Sequence, residues 1–146
     1  GATVTGVCSA ANAEFVRSLG AGRVIDYARD DFTQTGETYH VIFDAVGNCT
    51  FSRCERALSP GGRLLLVVAS LSQMVGTKLR PSRAGRKVLA GVNTTRAEDL
   101  VFLAGLAESG SFRPVIDRTY SLAQIVEAHR HVDTGRKRGN VVITLP

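Results

Sequence analysis

The sequence predicts an α/β fold: a doubly wound, mostly parallel sheet with helices between its strands. Three observations predict it. Short β-branched or apolar runs alternate with stretches of helical apolar spacing, the pattern of βαβ units. Two of those runs, Val41 to Val46 and Leu64 to Ala69, are almost free of polar residues. Strands of that kind are covered on both faces, as in parallel sheets. Small or polar residues follow the runs, at the ends where an open parallel sheet seats its ligands.

The elements follow in order. Thr3 to Cys8 reads as a strand. Ala11 to Leu19 has apolar Ala13, Phe15, Val16 and Leu19 at helical spacing, and Gly20 and Gly22 stop it. Arg23 to Tyr27 is a second strand, and Asp30 to Thr35 a loop or one helical turn. Val41 to Val46 is a third strand, interrupted only by Asp44. Phe51 to Leu58 reads as a helix that Ser59-Pro60-Gly61-Gly62 ends with a turn. Leu64 to Ala69 is a fourth strand. A basic loop leads to a fifth, Val88 to Val92. Thr94 or Thr95 caps a helix running to Glu108, with Glu98 in capping-box position. Val115 to Tyr120 is a strand. Ser121 caps a helix from Leu122 to Asp133, with Gln124 in the same box position, and Val141 to Leu145 is the last strand.

The length, 146 residues, is that of one domain. A composition 44% hydrophobic and 21% charged argues against disorder and against a disulfide-stapled miniprotein. No run approaches the roughly 18 apolar residues of a membrane span. No charged segment followed by an apolar one marks a signal peptide. The first residue is Gly1, inside an expected strand, which suggests a piece of a longer protein.

Net charge is +5, and residues 61–100 hold seven basic against two acidic groups. The excess at Lys78, Arg80, Arg83, Arg86, Lys87 and Arg96 is either a solvated loop or an anion site. Nucleic acid is not expected, because no aromatic residue interleaves with the basic run. The cysteines are Cys8, Cys49 and Cys54. An odd count without a signal sequence suggests reduced thiols and a cytoplasmic setting. Cys49 and Cys54 lie five apart on an expected helix, hence on different faces, and match no zinc spacing.

Several residues beyond the strand ends are suited to a ligand. Ser9 and Asn12 can donate to a phosphate or ribose oxygen at a helix N-terminus, with plain helix capping the alternative for Ser9. Tyr27 either stacks on a planar base or finishes its strand. Asp44, inside an apolar strand, must be hydrogen-bonded, so it ties down a loop or serves a ligand. Gly47 permits close backbone approach. His129 and His131 face apart on a helix and share no metal, and His40 is isolated. No nucleophile–base pair is legible, so neither catalytic residues nor metal ligands are expected in this segment.

These residues resemble a known family. Gly1-Ala2-Thr3-Val4-Thr5-Gly6-Val7-Cys8-Ser9, Leu19-Gly20-Ala21 and Val24-Ile25-Asp26-Tyr27 look like the medium-chain dehydrogenase/reductase superfamily, in its zinc-free, quinone-oxidoreductase-like branch. Asp44-Ala45-Val46-Gly47, Leu58-Ser59-Pro60-Gly61-Gly62-Arg63, Arg113-Pro114-Val115-Ile116-Asp117 and Glu127-Ala128-His129 continue it in order. The resemblance implies the later part of a Rossmann-like domain. Residues 1–110 would be a partial dinucleotide-binding domain, and 111–146 a segment returning toward a catalytic domain that this sequence lacks. The first strand and the glycine-rich phosphate loop are also lacking. With a sheet order of 3-2-1-4-5-6, strands 2 and 3 would then stand apart from strands 4 to 6.

The resemblance further implies NADPH as cofactor, with NADH the alternative, and hydride transfer to a quinone, enone or carbonyl by the longer protein. Ser9 and Asn12 would contact the adenosine 2′-phosphate, and Tyr27 would lie by the adenine. Asn48 would line the cleft. Ala69, Ser70, Gly91, Val92 and Asn93 would approach the nicotinamide. Arg138, Gly139 and Asn140 would close the cleft. Strand Val88 to Val92 would pair with its mate in a homodimer. Two alternatives stand beside this. One is an S-adenosylmethionine-dependent methyltransferase, whose later strands also carry an Asp and a Pro-Gly-Gly turn before a closing antiparallel hairpin. The other is a non-catalytic α/β interaction module.

Overall fold

The computed structural model describes residues 1–68, 83–90, 94 and 96–146. They form two compact units, Gly1–Val92 and Asn93–Pro146. The helix Ala97–Glu108 falls in the second unit and has no buried side chain.

In the first unit β1 (Thr5–Cys8) is followed by a 3-10 turn (Ala10–Asn12), α1 (Ala13–Ser18) and β2 (Arg23–Asp26). β1 and β2 pair in parallel, from Thr5↔Arg23 to Cys8↔Asp26. β3 (Tyr39–Asp44), β4 (Leu58–Leu66) and β5 (Lys87–Ala90) form a second, wholly parallel sheet in the order β3-β4-β5. No described ladder joins the two sheets, so the strands divide as the resemblance implies. Their connection is fixed by side chains. Phe32, in the turn after β2, packs on the core of the second sheet. Asp31, beside it, pairs with Arg53 at 3.2 Å.

The core lies on one side of the second sheet. Cys49, Cys54, Leu58, Leu64 and Leu66 are buried together, with Ile42, Phe51, Val88 and Ala90 packed around them. Leu58 and Leu64 are fully buried, and each such side chain contributes about 2 kcal/mol. The other side differs from expectation. Val41 and Phe43 remain 53% and 64% exposed, and Leu89 on β5 is 48% exposed. The period of two places alternate residues of even a continuous apolar strand on opposite faces. The described residues cover only one of them.

The segment between β3 and β4 corrects the sequence reading twice. The helix spans one turn, α2 (Phe51–Cys54), continued by a 3-10 turn (Glu55–Ala57). β4 then begins at Leu58, and Ser59 to Gly62 bulge out within it: Tyr39 pairs with Leu58, but Val41 with Arg63. The second correction concerns the thiols. Cys49 and Cys54 are joined in a disulfide, with Cα atoms 6.7 Å apart, while Cys8 is free. Because α2 starts only at Phe51, Cys49 precedes the helix and its loop curls back onto the helix end. Helical face geometry does not apply, and the cysteine count carries no argument about compartment.

The second unit holds α3 (Ala97–Glu108), β6 (Ile116–Ser121), a 3-10 turn (Leu122–Gln124), α4 (Ile125–Asp133) and β7 (Asn140–Thr144). α3 starts later than read. Its N-cap is Arg96, whose N–H donates to Asp99 at 3.0 Å, so Asp99 rather than Glu98 reaches back. The Ser121 cap holds, with Gln124 Oε1 accepting from the Ser121 N–H at 3.1 Å. β6 and β7 run parallel, from Ile116↔Asn140 to Ser121↔Thr144. The antiparallel hairpin required by the methyltransferase alternative is not formed.

Candidate functional site

In parallel ladders the strands end together. Cys8 and Asp26 are paired at one carboxyl edge. Asp44, Leu66 and Ala90 are paired at the other. The residues singled out in the first unit follow these ends.

Ser9 leaves β1 in extended conformation and caps the 3-10 turn, with Asn12 N–H donating to its carbonyl at 2.9 Å. Neither the Ser9 hydroxyl nor the Asn12 amide makes a side-chain cap hydrogen bond. The capping reading of the Ser9 side chain therefore fails, and the polar atoms of both side chains remain for another partner. Tyr27 donates its N–H to Cys8 O at 3.2 Å, which places it directly beside Ser9's strand end. Its side chain stays 65% exposed. Asp26 holds the turn that follows, accepting from Ala28 N–H at 3.1 Å.

Asp44 resolves the choice left open by the sequence: it ties down a loop. The residue is 7% exposed. Oδ1 accepts from Val46 N–H at 3.0 Å and Gly47 N–H at 2.9 Å, and Oδ2 from Cys49 N–H at 2.8 Å. Burial pushes this carboxyl up, but the backbone donors of Gly47, Cys49, Val46 and Asn48 together outweigh it and hold its pKa below the ordinary 3.8. Gly47 has φ +89°, and a Cβ there would lie 3.1 Å from Val68 Cβ. The loops after β3 and β4 thus lie in close contact. Asn48 is exposed on this anchored loop.

The remaining sites fall elsewhere. Ala69, Ser70, Gly91, Val92 and Asn93 lie outside the described residues, as do Lys78 and Arg80 of the basic run. Arg86 is not part of a solvated loop: its Nε donates to Leu58 O at 2.8 Å, tying the start of β5 to β4. Arg138, Gly139 and Asn140 belong to the second unit. Asn140 donates its N–H and Nδ2 to Val115 O at 2.7 and 3.1 Å. Its observed role is to tie β7 to the start of β6.

Sequence reasoning also missed a partnership in the second unit. His131 Nε2 lies 2.7 Å from Asp117 Oδ2, and Arg138 N–H donates to the same oxygen at 3.0 Å. The hydrogen bond with His131, then that from Arg138, holds the Asp117 carboxyl below its ordinary value. Asp117 thereby links β6, α4 and the loop before β7. The pairing was invisible because the two side chains are far apart in sequence.

Parallel strands joined by helices, with polar side chains and a carboxylate-anchored glycine loop at their carboxyl ends, define the doubly wound nucleotide-binding class of α/β proteins. The chain belongs, within it, to the family described as zinc-binding dehydrogenase, whose model matches residues 19–143, and so to the medium-chain dehydrogenase/reductase superfamily, matching its C-terminal part. The chloroplast envelope quinone oxidoreductase homolog of Arabidopsis thaliana is 27% identical over 97% of this chain and 45% of its own length. A mitochondrial NAD(P)H oxidoreductase of Mus musculus is 30% identical over 99% of this chain and 42% of its own. Among solved structures, the quinone oxidoreductase from Coxiella burnetii superposes with a TM-score of 0.77 at 24% identity, over 99% of this chain and 45% of that one. The chain thus spans less than half the length of these relatives. Among the described residues no group of three or more His, Cys, Asp or Glu is placed to hold a metal ion.

Proposed function

We propose that this chain is the nicotinamide-nucleotide-binding portion of a reductase that reduces a quinone, an enone or a carbonyl. One observation carries the reading. Two sets of parallel strands end in register, with Ser9, Asn12 and Tyr27 beyond one edge and the Asp44-held loop with Asn48 beyond the other. Family membership and the oxidoreductase names of the relatives support it.

The residues present fit a dinucleotide. Two polar side chains are not used in capping, an aromatic ring is exposed beside them, and the loop that carries Asn48 is held by Asp44. NADPH, with NADH the alternative, would supply the hydride. Ser9 and Asn12 would hydrogen-bond phosphate and ribose oxygens, Tyr27 would lie by the base, and Asn48 would line the cleft. By the family resemblance, Ala69, Ser70, Gly91, Val92, Asn93 and Arg138 would complete the cofactor's surroundings in the whole protein. In that reading 1–110 carry the nucleotide site, and 111–146 meet the part of the relatives that this chain does not match. That part holds most of the substrate pocket.

Titration of the full-length protein with NADPH and NADH tests this. The Ser9→Ala/Asn12→Ala variant is expected to weaken NADPH binding about 10-fold and NADH binding less, since roughly 1.4 kcal/mol of hydrogen bonding is a factor of ten. Tyr27→Ala should weaken both equally. Equal losses for both cofactors in the first variant would remove Ser9 and Asn12 from the phosphate site.

The reading includes a homodimer formed through strand Val88 to Val92; among the described residues β5 is paired only with β4, and an open strand edge can accept another strand. Sedimentation equilibrium of the full-length protein is expected to give twice the chain mass. A monomer at micromolar concentration would exclude it.

A further inference from the structure

We propose that the Cys49–Cys54 disulfide is a redox-controlled latch on the loop between β3 and α2, setting how firmly that loop holds a nucleotide. The consequence for binding rests on the proposed nucleotide site; the latch itself rests on the geometry of the loop.

Three restraints hold this loop. The first is the Asp44 carboxylate, which accepts the N–H groups of Val46, Gly47 and Cys49. The second is the close packing of Gly47 on Val68. The third is covalent: Cys49, the last residue bound by Asp44, is bonded to Cys54 at the end of α2. The bridge spans a sequence separation of only 5. It joins neither the two sheets nor the two units, so it constrains this loop and little else of the fold.

Its position gives that local constraint a consequence. The sulfurs are buried, with Cys49 4% and Cys54 0% exposed, in the cluster with Leu58, Leu64 and Leu66. The neighbouring residue, Asn48, is exposed at the carboxyl edge of the sheet. One end of the loop is therefore core, and the other faces any bound ligand. Reduction leaves two small apolar thiols in the same core, so the fold persists. The loop loses one restraint of three, and the effect is graded.

The chemistry needs a dithiol reductant. One of its thiolates attacks a sulfur of the bridge to give a mixed disulfide. Its second thiol displaces the protein sulfur. Two electrons and two protons pass to Cys49 and Cys54, and the reductant leaves as a disulfide. Because both sulfurs are buried, attack requires the loop to open, and a nucleotide resting on the loop opposes that opening. By linkage, the factor by which reduction weakens nucleotide binding equals the factor by which nucleotide resists reduction.

The test uses the full-length protein equilibrated in mixtures of oxidised and reduced dithiothreitol. Thiol state is read by alkylation and mass spectrometry, loop opening by amide hydrogen exchange over residues 45–50, and affinity by NADPH titration. The latch predicts a joint two-electron transition of Cys49 and Cys54, with faster exchange confined to that loop. It also predicts roughly fivefold weaker NADPH binding when reduced, about 1 kcal/mol. The Cys49→Ala/Cys54→Ala variant should behave as the reduced form at every redox poise. Free thiols at Cys49 and Cys54 in oxidised dithiothreitol would overturn the latch, as would identical loop exchange in both states. Redox-dependent exchange with NADPH affinity unchanged would overturn its consequence for binding. Redox-dependent exchange with no NADPH binding in any state would overturn the nucleotide site while leaving the latch standing.

Discussion

Replacing Asp44 by Ala is expected to destabilise the protein by about 3 kcal/mol and to abolish tight nucleotide binding together with it. The carboxylate accepts three backbone N–H groups at 2.8–3.0 Å from a position 7% exposed. Its removal leaves those donors without a partner, and an orphaned buried donor costs about 1–3 kcal/mol. The full sum is not reached because Val46 is exposed and its N–H can turn to water. Asp44→Asn keeps one acceptor oxygen and should lose about half as much. The pH dependence has a definite sign. The folded pKa lies below the ordinary 3.8, so the unfolded state binds the proton more readily. The stabilisation is complete above about pH 4, is lost as pH falls through the lowered folded value, and is gone below it. Urea unfolding between pH 2 and 7 checks this. The Asn variant should show a flatter acid limb, and an acid limb as steep as that of the parent would sink the assignment.

The second large effect is expected at Gly139. Its φ is +135°, a region that side chains other than hydrogen rarely adopt. A Cβ there would stand 2.6 Å from Val115 O and 2.8 Å from Val115 Cγ1. Val115 O also receives both hydrogen bonds of Asn140, so the strained residue adjoins the contact that sets the β6–β7 register. Gly139→Ala is expected to cost about 3 kcal/mol from backbone strain and overlap together. Gly105 provides the contrast. It lies within α3, and a Cβ added there meets nothing within 4 Å. Gly105→Ala should be neutral or stabilise by up to about 1 kcal/mol. Thermal unfolding of the two variants side by side tests the pair, and similar midpoints would refute the argument.

Much of this was legible in the residues. Period and punctuation suffice where structure is local. Gly20 and Gly22 end α1, Ser121 with Gln124 starts the last helical segment, and the apolar runs from Val41 and Leu64 become neighbouring parallel strands. The family resemblance, spread over short motifs from Gly1 to His129, anticipated the separation of β1-β2 from β3-β4-β5. Ser9, Tyr27 and Asn48, singled out because they follow strands, do lie beyond strand ends.

What escaped the sequence depends on contacts that no local pattern encodes. Reading Cys49 and Cys54 as five apart on one helix put them on different faces. The helix's true length of one turn, set by Leu58 joining β4 beside Tyr39, lets the loop fold back and the sulfurs meet. Asp44 was open between ligand and loop until the three N–H groups of the following residues were seen to point at its carboxylate. His131 finds Asp117 because a parallel β6–β7 pair lays α4 back against β6. A parallel crossover returns the chain to its starting end and brings together groups many residues apart. Composition and spacing fixed which elements form and in what order, since propensity and period are local. The disulfide, the anchored loop and the His131–Asp117 link required the packed chain, because each joins atoms whose distance only the closed fold defines.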